Sequence, residues 1–124
     1  MVYIGVDLGG TNIAVGVVTE EGKILAEAST KTLYQRPYQE IVKDMAICAK
    51  KALDKAGLTE DDVKSVGIGI PGVADQKEGR VIFCTNLAWH DIPLREELQK
   101  YIQKPVYIDN DATVAGLAEA YAGV

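Results

Sequence analysis

The feature that most limits the folds open to this chain lies in its first eighteen residues. An apolar run from Tyr3 to Asp7 passes through Leu8 into Gly9-Gly10-Thr11-Asn12, and a second apolar run, Ile13 to Val18, follows at once. A strand that turns straight into another strand is a hairpin. A Rossmann unit needs a helix here and a Walker loop needs Gly-Lys-Ser/Thr, and the sequence offers neither. Two adjacent glycines still let backbone N–H groups approach an anion closely, and Thr11 and Asn12 add side-chain donors. Asp7, at the strand end, suits a Mg²⁺ ion held directly or through water. A plain hairpin turn is the competing reading of the same residues.

The remaining pattern completes an α/β architecture. After the polar turn Glu20-Glu21-Gly22-Lys23, the alternation of Ile24 to Thr30 predicts a third strand. Ile41, Met45, Cys48, Ala49, Ala52, Leu53 and Ala56 recur at helical steps and predict a helix over Pro37 to Ala56, with Lys55 in its last turn and Gly57 as its stop. Ser65 to Ile70 reads as a buried strand ended by Pro71-Gly72. A polar turn from Asp75 to Arg80 precedes Val81-Ile82-Phe83. Pro93 to Ile102 predicts a second helix, with Leu94, Leu98 and Ile102 on one stripe. Pro105 to Ile108 predicts a strand and Asp111 to Ala122 an Ala-rich helix. The order β-β-β-α-β-α-β-α implies a mixed sheet, three antiparallel strands followed by parallel strands with flanking helices. Residues 1–124 are expected to form a single domain with ligands at the carboxyl ends of its strands.

Three further polar clusters stand at such ends. Asp109-Asn110-Asp111 opens a helix; one cap needs one residue, and a carboxylate here is placed to act as a general base while Asn110 orients a hydroxyl substrate. Gly67-Ile68-Gly69-Ile70-Pro71-Gly72 suggests close backbone approach in the strand and a ligand loop at Gly72. Thr85 and Asn86 are uncharged hydrogen-bonding residues suited to a polyol. Trp89 is expected as a core anchor, His90 at the surface, Cys48 in the core and Glu119 as a solvated or structural carboxylate.

Composition removes other classes. Thirteen Lys and Arg against eighteen Asp and Glu give a net charge of −5, which argues against a nucleic-acid or anionic-membrane surface. No apolar run approaches the ~20 residues of a membrane span, and the start is not a signal peptide. Cys48 and Cys84 lie far apart, excluding a Cys-based zinc ribbon or a disulfide scaffold. A cytoplasmic domain with free thiols is expected.

Four motifs in order carry a family resemblance: Asp7-Leu8-Gly9-Gly10-Thr11-Asn12, Gly67-x-Gly69-x-Pro71-Gly72, Asn86-Leu87-x-Trp89 and Asp109-Asn110-Asp111-Ala112. Over essentially its whole length the chain resembles the amino-terminal half of the ROK family, and most of all its bacterial glucokinases. The resemblance implies a ribonuclease-H-like, actin-type ATPase fold and transfer of the γ-phosphoryl of ATP, with Mg²⁺, to a hexose, glucose being favoured. It implies phosphate binding at Gly9, Gly10, Thr11 and Asn12, the catalytic base at Asp111, and sugar contacts at Asn110, Asp111, Gly72, Val73, and Thr85 or Asn86. Family kinases are expected to run to roughly twice this length. The further half would carry the adenosine pocket, a second phosphate loop and the family's zinc site, so no zinc is expected in this chain. The family's DNA-binding extension would precede the first strand, which disfavours the repressor branch. An isolated amino-terminal lobe is expected to be nearly inactive, with its carboxy-terminal half or a second copy as partner. The alternatives are a non-enzymatic sugar- or partner-binding module, or a kinase for fructose, mannose or N-acetylmannosamine.

Overall fold

The apolar runs of the first thirty residues become three antiparallel strands in the computed structural model, which describes residues 1–110. They are β1 (Val2–Leu8), β2 (Asn12–Thr19) and β3 (Ile24–Lys31). The β2–β3 turn is closed by the Gly22 N–H, which donates to Thr19 O at 3.0 Å. Helix α1 (Tyr38–Ala56) follows, capped by Pro37 and stopped by Gly57 at φ 72°. The N–H groups of Gly57 and Leu58 donate back to Asp54 O at 3.1 Å and Leu53 O at 2.9 Å, satisfying carbonyls that the helix end leaves open. Lys55, in the last turn, also reaches across to the Glu27 carbonyl of β3 at 2.9 Å.

The second half of the chain differs from the sequence expectation in one respect that matters for the site. After β4 (Val63–Ile70) come three short strands, β5 (Val73–Asp75), β6 (Arg80–Cys84) and β7 (Trp89–Ile92), which form their own antiparallel sheet in the order β5-β6-β7. A bulge between Val73 and Ala74 leaves Ile82 and Phe83 both exposed, so the period-two signal of a strand is absent. The expected helix over Pro93 to Ile102 is also shorter: α2 spans Leu94–Leu98. Beyond it the N–H groups of Lys100 and Tyr101 bond three residues back, to Glu97 O and Leu98 O, and the chain tightens into a turn before β8 (Val106–Asn110). The stripe itself holds, with Leu94, Leu98 and Ile102 all buried. The expected helix over Asp111 to Ala122, with Asp111 and Glu119, lies outside the described residues.

The main sheet has the order β3-β2-β1-β4-β8, with β4 parallel to β1 and β8 parallel to β4. Register assigns its two faces. Ile4, Val6 and Leu8 share a face with Ile13, Val15, Val17, Val66, Ile68 and Ile108. These residues join Ile41, Met45, Ala49 and Leu53 of α1 in one buried core. The opposite face carries small and polar residues in the same rows: Gly5 with Gly16 and Gly67, and Asp7 with Ala14 and Gly69. Cys48 and Trp89 are in the core, as expected, and His90 is exposed.

Ile68 is fully buried at the centre of the sheet. Ile68→Ala should lower unfolding free energy by about 2–5 kcal/mol, while Ser29→Ala on the exposed side of β3 should stay within about 0.5 kcal/mol, as read by urea unfolding.

Candidate functional site

Parallel pairing places the ends of three strands side by side. Asp7 of β1 is in register with Gly69 of β4, and Gly69 with Asp109 of β8. Residues in one row project to the same face, so the two aspartates flank a position without a side chain, their strands separated by two spacings of about 4.8 Å. Gly69 therefore keeps the floor open between two carboxylates. A cleft of about 190 Å³ lies here, on the face opposite α1, lined by Asp7, Gly9, Asn12, Gly69 and Pro71 among others.

The β1–β2 hairpin forms one wall. Its turn is closed by the Gly9 N–H, which donates to Asn12 O at 3.0 Å. Thr11 and Asn12 are exposed. On one side the turn abuts the single helical turn Thr85–Leu87: a Cβ added to Gly10 would sit 3.0 Å from Asn86 Cβ and 3.1 Å from Asn86 O. Glycine permits that approach because it has no Cβ. The turn is therefore brought directly against one of the expected sugar-contact residues. On its other side it is held by Thr32, a fully buried residue that the sequence reading did not single out. The Thr32 hydroxyl donates to Gly9 O at 2.7 Å and its N–H donates to Thr11 O at 2.9 Å. A threonine at the end of an exposed edge strand gives no sequence signal of its own; only pairing of β3 with β2 reveals what it reaches.

Pro71-Gly72 and Val73 leave β4 against the second sheet. A Cβ on Gly72 would overlap the Phe83 carbonyl and stand 3.0 Å from Cys84 Cα, so this loop and β6 touch backbone to backbone. Val73 is in register with Phe83. The buried Cys84 thiol donates to Pro71 O at 3.7 Å. Burial pushes that thiol above its ordinary pKa, against the opposing pull of backbone hydrogen bonds from Leu87 and Asn86. Thr85 and Asn86 follow immediately and are exposed, anchored by the buried Leu87. Asn110 ends β8 in register with Ile70. The same strand is braced by the β5–β6 turn and by α2: Gln76 Oε1 accepts the Ile108 N–H at 2.7 Å, and Arg95 Nε donates to Val106 O at 2.8 Å.

The donor set fits Mg²⁺. Asp7 and Asp109 are hard oxygen donors on one row, yet among the described residues no three metal-ligating side chains gather.

Residues 3–124 match the sequence profile of the ROK family. The chain belongs to the ROK family. It is 38% identical over 121 residues to the glucokinase of Thermotoga maritima, which covers 97% of this chain and 37% of that protein. It is 30% identical over 120 residues to the xylose repressor of Caldicellulosiruptor bescii, covering 97% of this chain and 30% of the repressor. Among solved structures it resembles a ROK family glucokinase from Streptomyces griseus in complex with glucose and AMPPNP, at 38% identity and a TM-score of 0.79, over 90% of this chain and 34% of that one. The ROK domain has the actin-type ATPase fold, as the sequence implied. The chain spans 30% to 37% of the length of these relatives and corresponds to the amino-terminal part of the glucokinases, which exceed the twofold length expected from sequence. No helix among the described residues is long and apolar enough to cross a membrane.

Two measurements check this geometry. Gly72→Ala should cost about 1–3 kcal/mol in unfolding free energy, because the backbone it faces has to move, whereas Val73→Ala at the exposed neighbour should cost about 0.5 kcal/mol or less. Cys84 should resist alkylation by iodoacetamide at neutral pH in the folded chain and react readily in denaturant, since its thiol is both buried and held protonated.

Proposed function

We propose that the chain is the amino-terminal lobe of an ATP-dependent hexose kinase, with glucose as the favoured acceptor and its 6-hydroxyl as the nucleophile. The observation that carries this reading is the contact between the Gly9–Asn12 turn and Asn86, beside the Asp7–Gly69–Asp109 row. The turn expected to bind phosphate and the turn expected to bind the polyol meet there at one strand edge. Glucokinase relatives at 38% identity support the sugar-kinase class.

In this reading the backbone of Gly9, Gly10, Thr11 and Asn12 holds the phosphates of ATP. Gly72, Val73, Thr85, Asn86 and Asn110 orient the hexose. Asp111, the residue directly after β8, accepts the proton of the attacking hydroxyl. The new bond joins that oxygen to the γ-phosphorus, the bond to the β,γ-bridging oxygen breaks, and ADP leaves. Asp7 would hold Mg²⁺, through water, and the bound ion would neutralise charge on the phosphates. Phosphoryl transfer depends on positioning from both sides of a cleft, so one lobe should turn over slowly at best. Val73, Ile82 and Phe83 are each more than 40% exposed around this edge, which favours cover by the carboxy-terminal half or by a second copy of the chain. A cytoplasmic location accords with ATP as phosphoryl donor.

The test is ADP release with Mg²⁺-ATP across a hexose panel that includes fructose, mannose, N-acetylmannosamine and N-acetylglucosamine. The chain alone should show negligible turnover, and adding the carboxy-terminal half should restore it, fastest with glucose. In the reconstituted protein Asp111→Asn should lower kcat by at least about 10²-fold, the usual scale for a general base. Unchanged activity in that variant would remove Asp111 from the role. A faster acceptor than glucose would reassign the substrate, and sugar binding without turnover in the reconstituted protein would favour a non-enzymatic module.

A further inference from the structure

We infer that Thr32 is a positioning residue for the phosphate turn: it sets the direction in which the Gly10 and Asn12 amides face. The inference rests on the proposed role of that turn. Thr32 is fully buried, and both of its hydrogen-bonding ends on this side are spent on one target. Its hydroxyl takes the Gly9 carbonyl at 2.7 Å and its N–H takes the Thr11 carbonyl at 2.9 Å. A trans peptide is planar, so its C=O and the following N–H point in opposite directions. Drawing the carbonyls of Gly9 and Thr11 toward β3 therefore turns the N–H groups of Gly10 and Asn12 away from β3. That is the side of β1, whose carboxyl end opens on the cleft. An anion held by these amides would thus owe its donor geometry to a residue at least twenty positions away in sequence.

The segment behind Thr32 is built to hold it there. Leu33 takes φ 51°, a left-handed conformation that a branched side chain adopts only when its surroundings impose it. The imposing residue is Arg36. Its Nη2 donates to Thr32 O at 2.7 Å, its Nε to Leu33 O at 3.3 Å, and its backbone N–H to Leu33 O at 3.1 Å. The same guanidinium pairs with Asp44 of α1 at 2.8 Å. A sharp turn after Thr32 is thereby fastened to the first half of α1, and Thr32 is left no freedom to swing from the hairpin. Nothing in the packing of the core demands this hook, since Leu33 and Tyr34 are both exposed.

The test compares Thr32→Val, which keeps the shape and loses the hydroxyl, with Thr32→Ser, which restores it. Arg36→Gln is included because it leaves the hydroxyl in place and loosens only the turn behind it. Amide exchange in the whole chain by mass spectrometry and, in the protein reconstituted with its carboxy-terminal half, the KM for Mg²⁺-ATP are read side by side. Thr32→Val should speed exchange of the 8–12 segment about tenfold, the scale of one hydrogen bond, while the 63–70 segment keeps its wild-type rate. The KM for ATP should rise about tenfold as well, with kcat and the hexose KM within about twofold. Serine should recover both, and Arg36→Gln should move both in the same direction by less. If Thr32→Val does not fold, Arg36→Gln carries the test with the same two readouts. Unchanged hairpin exchange, or equal acceleration in 63–70, overturns the inference whatever the turn binds. Faster hairpin exchange with an unchanged ATP KM overturns the link to phosphate. Failure of the kinase reading itself would show separately, as wild-type protein whose hairpin exchange does not respond to Mg²⁺-ATP.

Discussion

The site depends on the parallel pairing of β1 with β4. Without it Asp7 ends an isolated hairpin; with it, Asp7 stands one strand away from Gly69 and two from Asp109. The pairing is sustained by burial, because Ile4, Val6, Val66 and Ile68 are each almost completely removed from water. A slip of one residue would send these side chains to the opposite face and bury the carboxylates against α1. The hydrophobic register of the core and the polar register of the cleft are thus one constraint read from two faces.

Around that row the structure works by close backbone approach. Gly10 lets Asn86 come against the hairpin, and Gly72 lets the β4 exit lie on β6. Both contacts join the main sheet to the three-stranded sheet, and both bring expected phosphate- and sugar-contact residues to one edge. Gln76, in the β5–β6 turn, and Arg95, in α2, then fasten β8, satisfying backbone groups of an edge strand that would otherwise be open to water or to a stray partner. The second sheet is small, but it sets the spacing between the hairpin and the Thr85–Leu87 turn.

Much of this was legible in the chain. The three opening strands, α1 with its Gly57 stop, and β4 are all periodic or punctuated, and their ends fall within two residues of expectation. The second sheet was not legible, because strands of three to five residues with a bulge leave no period to detect. The second helix was over-extended from a stripe that is real: Leu94, Leu98 and Ile102 are buried together, yet the chain tightens after Leu98 to enter β8. Of the site, the acid-glycine hairpin and the Thr85-Asn86 pair stood out as residue types, while Thr32 and the bracing role of Arg95 did not.

The sequence by itself determined the family, the three opening strands, α1 and β4, and which short segments are expected to bind phosphate and polyol, since each of these is written in neighbouring residues. Only the tertiary structure decided which segments meet. That Gly10 touches Asn86, that Asp7 and Asp109 share a row, and that Thr32 grips the hairpin are all long-range facts. They follow from strand register, and register is fixed by how the whole apolar face is buried at once rather than by any local run of residues.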